Sequence, residues 1–230
     1  MAPFAPRLDI RQFYDHFDAP VTAFDCGEKC APHNPNGKPF CCDICHAVPV
    51  AYRQEWDYLQ GRTDLWHEWR GDECAGDPSD PAELREQTPE HMLLLACLGP
   101  AHCQRAYRAS SCRQFPFLPY ITADDRFLGL VYEWDFEPLC WVISHLESVT
   151  EAYRREFVAT YDVILAQWPD EYESYAAASE EMRAHFAAQR RRIPLLHRRG
   201  GFYLLSPRSE RLERVPPQRL PRFGPYHTED

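Results

Sequence analysis

Apolar residues recur at helical spacing in two adjacent stretches. From Thr150 to Trp168, the residues Tyr153, Phe157, Tyr161, Ile164, Leu165 and Trp168 keep to one helix face. Pro169 breaks that pattern. A second helix from about Glu171 to Arg192 then carries Tyr172, Tyr175, Met182 and Phe186, with Pro194 as its stop. Tyr52, Trp56 and Leu59 predict another helix between Pro49 and about Trp69. The stretch "RFLGLVYEWDF" is apolar and aromatic and predicts a strand or hairpin; "GGFYLLSPRSERLERV" predicts a hairpin. His91 to Cys97 fits a short helix or a buried strand. Residues 26–45 are broken by "APHNPNGKP" and residues 71–90 are acidic and rich in Pro and Gly, so both predict loops. The stretch before residue 20 predicts a leader packed on the domain, and no internal repeat occurs. The pattern is that of an α+β protein. An irregular, Cys-rich core with short strands spans 1–145, and a helical hairpin with a small β-hairpin spans 146–230, packed on the first.

Composition narrows the classes. Hydrophobic residues make up 44% and charged residues 26%, the balance of an ordinary soluble globular chain. The net charge of −10 argues against a nucleic-acid partner. The local basic run "QRRRIPLLHRRGG" suits a helix C-terminus, whose dipole favours Arg. No apolar run is long enough to span a membrane, and "MAPFAPRLDIRQFYDHF" lacks the charged start and apolar stretch of a secretory signal. A cytoplasmic protein without a membrane partner is expected, its thiols reduced.

Cysteine is the residue that changes the picture. The ten cysteines are spaced C-x3-C-x10-CC-x2-C and then, apart from Cys74, C-x5-C-x8-C-x27-C. Thiolates are soft anionic ligands suited to zinc or to iron–sulfur clusters. Groups some fifty residues apart can share a site, because loop closure costs little more as length grows. The candidate metal ligands are Cys26, Cys30, Cys41, Cys42, Cys45, Cys97, Cys103, Cys112 and Cys140; Cys74 reads as a leftover loop thiol. Cys42-Asp43-Ile44-Cys45-His46 also matches the attachment pattern of a c-type haem. Covalent haem needs an exported chain and leaves Cys41 and the other cysteines unexplained, so none is expected.

Other residues are weaker candidates. His46, His91, His102 and His145 lie near cysteines in sequence, where a lone His is usually an ordinary surface or core residue. Glu133, Asp135 and Glu137 alternate as on one strand face, and a solvated face explains them. Arg108 and Arg113 could balance thiolate charge or hydrogen-bond to sulfur. Phe115, Phe117, Trp134 and Trp141 could exclude water from a site. Ser110 and Ser111 have no evident base partner. No catalytic residue is assigned, and no P-loop, G-x-S-x-G or G-x-G-x-x-G motif occurs.

The stretch "CLGPAHCQRAYRASSCRQFPF" resembles the second half of the YkgJ-like cysteine-cluster family, also described as the zinc- or iron-chelating CxxCxxCC domain. That half runs C-x-x-L, then C-x-x-Y, then R-P-x-x-C-R-x-F-P. Arg108, Cys112, Arg113, Phe115 and Pro116 match its end; Cys97 with Leu98, and Cys103 with Tyr107, approximate the rest. Cys26, Cys30 and the Cys41-Cys42 doublet correspond to the first half, and "VPVAYRQEWDYL" follows as the family's strand-to-helix element does. Cys140 falls where a late cysteine is common. The opening is more stretched than the family's tight pairs, Ala109 stands for a proline, and Cys45 is additional. The resemblance covers roughly residues 26–140. It implies a cytosolic bacterial-type protein holding an iron–sulfur cluster, first of all 4Fe–4S, with zinc as the alternative. It also implies a redox role, or assistance to a modification reaction on a protein or small-molecule partner. Flagellin lysine N-methylases share the pattern in a longer chain, but no methylase region matches here. The competing reading is a structural zinc-binding interaction module with no catalysis. A cysteine-dependent enzyme with a low-pKa thiolate is a third.

Overall fold

The computed structural model describes residues 9–74 and 81–228. The protein is α+β, with eight α-helices and two antiparallel sheets among the described residues. Contacts divide it into two compact units, one of residues 25–115 and one of 1–24 with 116–230. The sequence reading divides the chain at 145, whereas these contacts divide it at 115. Strand pairing explains it, because the strands after residue 116 join the C-terminal sheet.

The elements in chain order are α1 (Ile10–His16), α2 (Gly27–Cys30), β1 (Val50–Tyr52), α3 (Arg53–Gln60), β2 (Trp66–Glu68), α4 (Pro81–Gln87), β3 (Met92–Cys97) and α5 (Ser110–Gln114). They continue with β4 (Phe117–Ile121), β5 (Phe127–Tyr132), α6 (Trp141–Ser144), α7 (Glu151–Gln167), α8 (Pro169–Ala188), β6 (Ile193–His197), β7 (Phe202–Leu205) and β8 (Leu212–Val215).

The larger unit is a five-stranded meander, β4-β5-β6-β7-β8, with the α7–α8 hairpin inserted between β5 and β6. Gly129 is required where β5 meets β6: a Cβ there would lie 2.2 Å from the Leu196 carbonyl oxygen. Thr150 caps α7, its hydroxyl oxygen accepting the Tyr153 N–H at 3.1 Å. Pro169 opens α8 at a position where its missing N–H is harmless. That helix ends at Ala188, earlier than Pro194 predicted. Arg190 takes a left-handed φ of 56°, and the Arg191 N–H donates back to the Phe186 carbonyl at 2.9 Å. Pro194 lies inside β6 instead. Of the stretch before residue 20, residues 1–8 lie outside the described residues, and Phe17 after α1 meets Tyr153 and Phe157 of α7 at ring-centroid separations of 5.5 and 6.0 Å.

Unit 25–115 is built from shorter pieces. Its three-stranded sheet runs β1-β3-β2, with β3 central and both neighbours antiparallel. The stretch predicted as one helix from Pro49 to Trp69 is strand, helix and strand. Only α3 is helical, burying Trp56 and Leu59. The predicted loop 71–90 holds α4, where Pro81 is followed by the helix formers of "AELREQ". Residues 75–80 lie outside the described residues. Among the described residues no helix is long and apolar enough to cross a membrane.

Candidate metal centre

Seven of the nine candidate cysteines belong to unit 25–115 and carry no disulfide there. Cys26 stands immediately before α2 and Cys30 ends it, buried, its Sγ–H donating to the Gly27 carbonyl at 3.6 Å. Cys41 and Cys42 occupy a 3-10 turn, Phe40–Cys42, with their sulfurs 3.9 Å apart. Cys97 ends β3, Cys103 follows the 3-10 turn Pro100–His102, and Cys112 lies in α5. The remaining two candidates differ. Cys140 belongs to the other unit, immediately before α6. Cys45 is bonded to Cys74, so it offers no thiolate in this state, and Cys74 is no leftover thiol.

Polar groups with few alternatives hold this irregular backbone. Asp43, between Cys42 and Ile44, is buried and accepts the side-chain N–H groups of Asn34 (2.9 Å) and Asn36 (2.8 Å) and the Cys45 N–H (3.2 Å). Burial alone would raise its pKa, but these hydrogen bonds outweigh it and hold the carboxyl below its ordinary value. Glu55, fully buried on α3, accepts the Ser110 N–H at 2.5 Å and the Ser110 hydroxyl at 2.7 Å, so it fixes the start of the helix that carries Cys112. Ser110 thus has a carboxylate partner that sequence spacing did not reveal. The Ser111 hydroxyl oxygen accepts the Val50 N–H at 3.1 Å, tying the same turn to β1.

The two arginines divide the roles foreseen for them. Arg108 donates through Nε to the Cys103 sulfur at 3.1 Å. Arg113, buried, spends its guanidinium on backbone carbonyls, with Ala106 at 2.8 Å and Arg108 at 3.2 Å. Arg113 therefore shapes the turn from which Arg108 reaches sulfur.

Cys42, Cys97, Cys103 and Cys112 lie close enough to feel one another's charge. Burial pushes the Cys112 thiol far up, and the charges of Cys42, Cys97 and Cys103 add to this against Arg108. Burial also raises the Cys97 thiol, with Cys42 and Cys103 adding to it. Cys42 is the exception. The hydrogen bond from Cys41, aided by the Arg108 charge and opposed by burial, lowers it to about 7. Burial works against the Arg108 charge, but its bond to Cys103 and the charges of Cys103, Cys42 and Cys112 prevail and raise it. Cys30 joins the edge of this group, feeling Cys42 and Asp25 beneath the larger effect of its own burial.

The donor set suits a soft metal: four thiols and a guanidinium to offset their charge when they ionise. Among the described residues no three Cys, His, Asp or Glu side chains already converge as coordination requires. The thiols are gathered rather than preset, and metal binding would supply the energy that closes them, as ligand deprotonation and folding are coupled to it.

The other candidates stand apart. His46 is exposed beside Phe40 and 4.0 Å from Asp43, His91 stacks on Tyr52, and His102 is exposed. Both ring nitrogens of His145 are engaged, by the Trp141 carbonyl at 3.0 Å and Arg222 at 2.8 Å. Glu133, Asp135 and Glu137 share no strand face, because β5 ends at Tyr132 and Trp134–Phe136 form a 3-10 turn. Glu137 pairs with Arg191 at 2.5 Å, while burial and then Asp135 push the Glu133 carboxyl up to about 7. Of the aromatics considered as a shield, Phe117, Trp134 and Trp141 belong to the other unit and pack on Tyr153, His185 and His145. Arg191, Arg192 and Arg198 of the basic run are ion-paired with Glu137, Glu213 and Asp162.

Comparison of the chain with family models, with curated proteins and with solved structures gave no match.

Proposed function

We propose that unit 25–115 holds a cysteine-ligated metal centre of the YkgJ-like kind, an iron–sulfur cluster before zinc, with Cys42, Cys97, Cys103 and Cys112 as its ligands. Cys26, Cys30 and Cys41 are the neighbouring thiols available for exchange or for a second site. The observation that carries this reading is the grouping of three thiols, Cys42, Cys103 and Cys112, about Arg108, which hydrogen-bonds Cys103, with Cys97 beside Cys42 and Cys103. Arg108 would tune such a centre, since hydrogen bonds to ligand sulfur raise reduction potential. The role proposed is electron transfer or support of a modification reaction in the cytoplasm. Cys42 also favours a second reading, because a thiol lowered to about 7 is the profile of a nucleophile.

Anaerobic purification tests the proposal. Brown protein with about four iron and four sulfide per chain is expected. Cys112→Ser should lose the metal and Cys140→Ser should keep it. Colourless protein with tightly held zinc would transfer the reading to a structural zinc module. Protein that binds neither metal, but loses thiol reactivity in Cys42→Ser alone, would favour the nucleophile.

A further inference from the structure

Eight cysteines carry no disulfide and one pair is bonded, Cys45 to Cys74 across 29 residues. A single bridge among eight thiols differs from the disulfide framework of a small secreted domain, where most cysteines pair. Each end of the bridge is held by polar contacts of its own. At Cys45, the Asp43 carboxylate accepts the Cys45 N–H, and the Asp43 carbonyl accepts the His46 and Ala47 N–H groups at 2.8 and 3.0 Å. At Cys74, the preceding Glu73 carboxylate accepts the Arg70 and Gly71 N–H groups at 2.8 and 2.9 Å and meets His67 Nε2 at 3.4 Å. Each turn thus has hydrogen bonds of its own besides the bridge. Both cysteines are partly exposed, within reach of an external thiol. Cys45 also stands three residues after Cys42, on the turn that follows it.

We propose that Cys45–Cys74 is a reversible redox site reduced by a dithiol, protein or small-molecule, and that its reduction adds Cys45 to the thiols available beside Cys42. A thiolate of the dithiol attacks one bridge sulfur to form a mixed disulfide, and the other bridge cysteine leaves as thiolate. The second thiol of the donor then closes its own S–S bond and releases the protein sulfur. Two electrons pass to the cysteine pair, and two protons complete its thiols. The oxidised state withholds Cys45 and the reduced state supplies it. The consequence for metal rests on the function proposed above; the redox site itself does not.

The test uses the full-length chain, oxidised or reduced with dithiothreitol and then desalted anaerobically. Thiols are counted after denaturation, and zinc affinity is measured against a chromophoric chelator. The thiol count is expected to rise from eight to ten on reduction, matching the cysteines outside and inside the bridge. Zinc affinity is expected to rise about tenfold, as when a metal site gains a supporting group. Cys74→Ser should show the reduced-state affinity without reductant, and Cys45→Ser should keep the oxidised-state affinity throughout. Ten thiols before any reductant would overturn the redox site. Equal zinc affinities in the two states of the wild type, or a gain in Cys45→Ser equal to the wild type's, would overturn the supply of Cys45. Absence of zinc binding in every form, with the thiol count still rising from eight to ten, would overturn the supply of Cys45 to a metal while upholding the redox site.

Discussion

In the sheet unit the side chains sealed from solvent are mainly rings and aliphatics: Phe17, Phe117, Tyr120, Tyr153, Phe157, Phe186 and Leu195. In unit 25–115 the sealed groups include two carboxylates, Asp43 and Glu55, beside Leu59 and Leu95. The first unit has long elements that can bury a continuous face, so apolar area supplies its cohesion. The second has strands of three to six residues and helices of four to eight, too short to bury one. Hydrogen bonds to buried carboxylates do much of the fastening instead, and they act at named points rather than over an area. The gathered cysteines lie in the unit fastened in this way. Point fastenings fix a turn while leaving side chains room to close on a ligand.

Substitutions in the two units should separate these modes of cohesion. The largest effect is expected from Phe157→Ala, which removes a fully buried ring from the sheet unit. A loss of about 3–5 kcal/mol, read from urea denaturation, is the expected cost of transfer and cavity together. A loss under about 1 kcal/mol would mean that the aromatic column is not what holds that unit. Next comes Glu55→Gln, which sets an amide N–H against donors that now meet a carboxylate. About 1–3 kcal/mol is expected, with hydrogen exchange accelerating first at the amides around Ser110 and Cys112. Asp43→Asn should act on the same scale but elsewhere, loosening residues 34–46 and leaving the Ser110 turn protected. If either variant loosened both turns equally, the point-fastening picture would fail.

An effect that depends on pH belongs to Glu133. Its carboxyl is raised to about 7 in the folded protein against an ordinary 4.5, so the folded state holds the proton more tightly than the unfolded one. Stability from this group is present at low pH and is lost as pH rises through 4.5 towards 7. Glu133→Gln should flatten that part of the profile, seen as a smaller drop in Tm between pH 5 and 7.5. An unchanged slope would place its origin elsewhere.

The long periodic helices were legible because their apolar spacing repeats over several turns, as from Tyr153 to Ile164. The hairpin "GGFYLLSPRSERLERV" was legible from its turn residues. The short elements were not. Three residues of β1 carry no period, so Val50–Tyr52 merged with the helix pattern of Tyr52, Trp56 and Leu59. β6 was missed because Pro194 reads as a breaker, although its neighbours Leu195 and Leu196 are buried in the sheet. In the candidate centre, spacing singled out the cysteines, and Arg108 was rightly marked as a partner for sulfur. The signal for Asp43 was available in its position between Cys42 and Cys45, next to a turn rich in Asn. Glu55 gave no local signal, since its partner is Ser110, far along the chain.

By itself, the sequence determined the α+β class, the α7–α8 hairpin and the cysteine-rich segment, because propensity, periodicity and thiol chemistry are properties of neighbours along the chain. Only the tertiary structure decided that β4 and β5 belong with the C-terminal strands, that Cys45 pairs with Cys74, and that Arg108 rather than Arg113 meets sulfur. Those outcomes depend on which distant groups share the same space. Backbone pairing, a covalent bond and a buried charge each require a partner whose position no local pattern encodes.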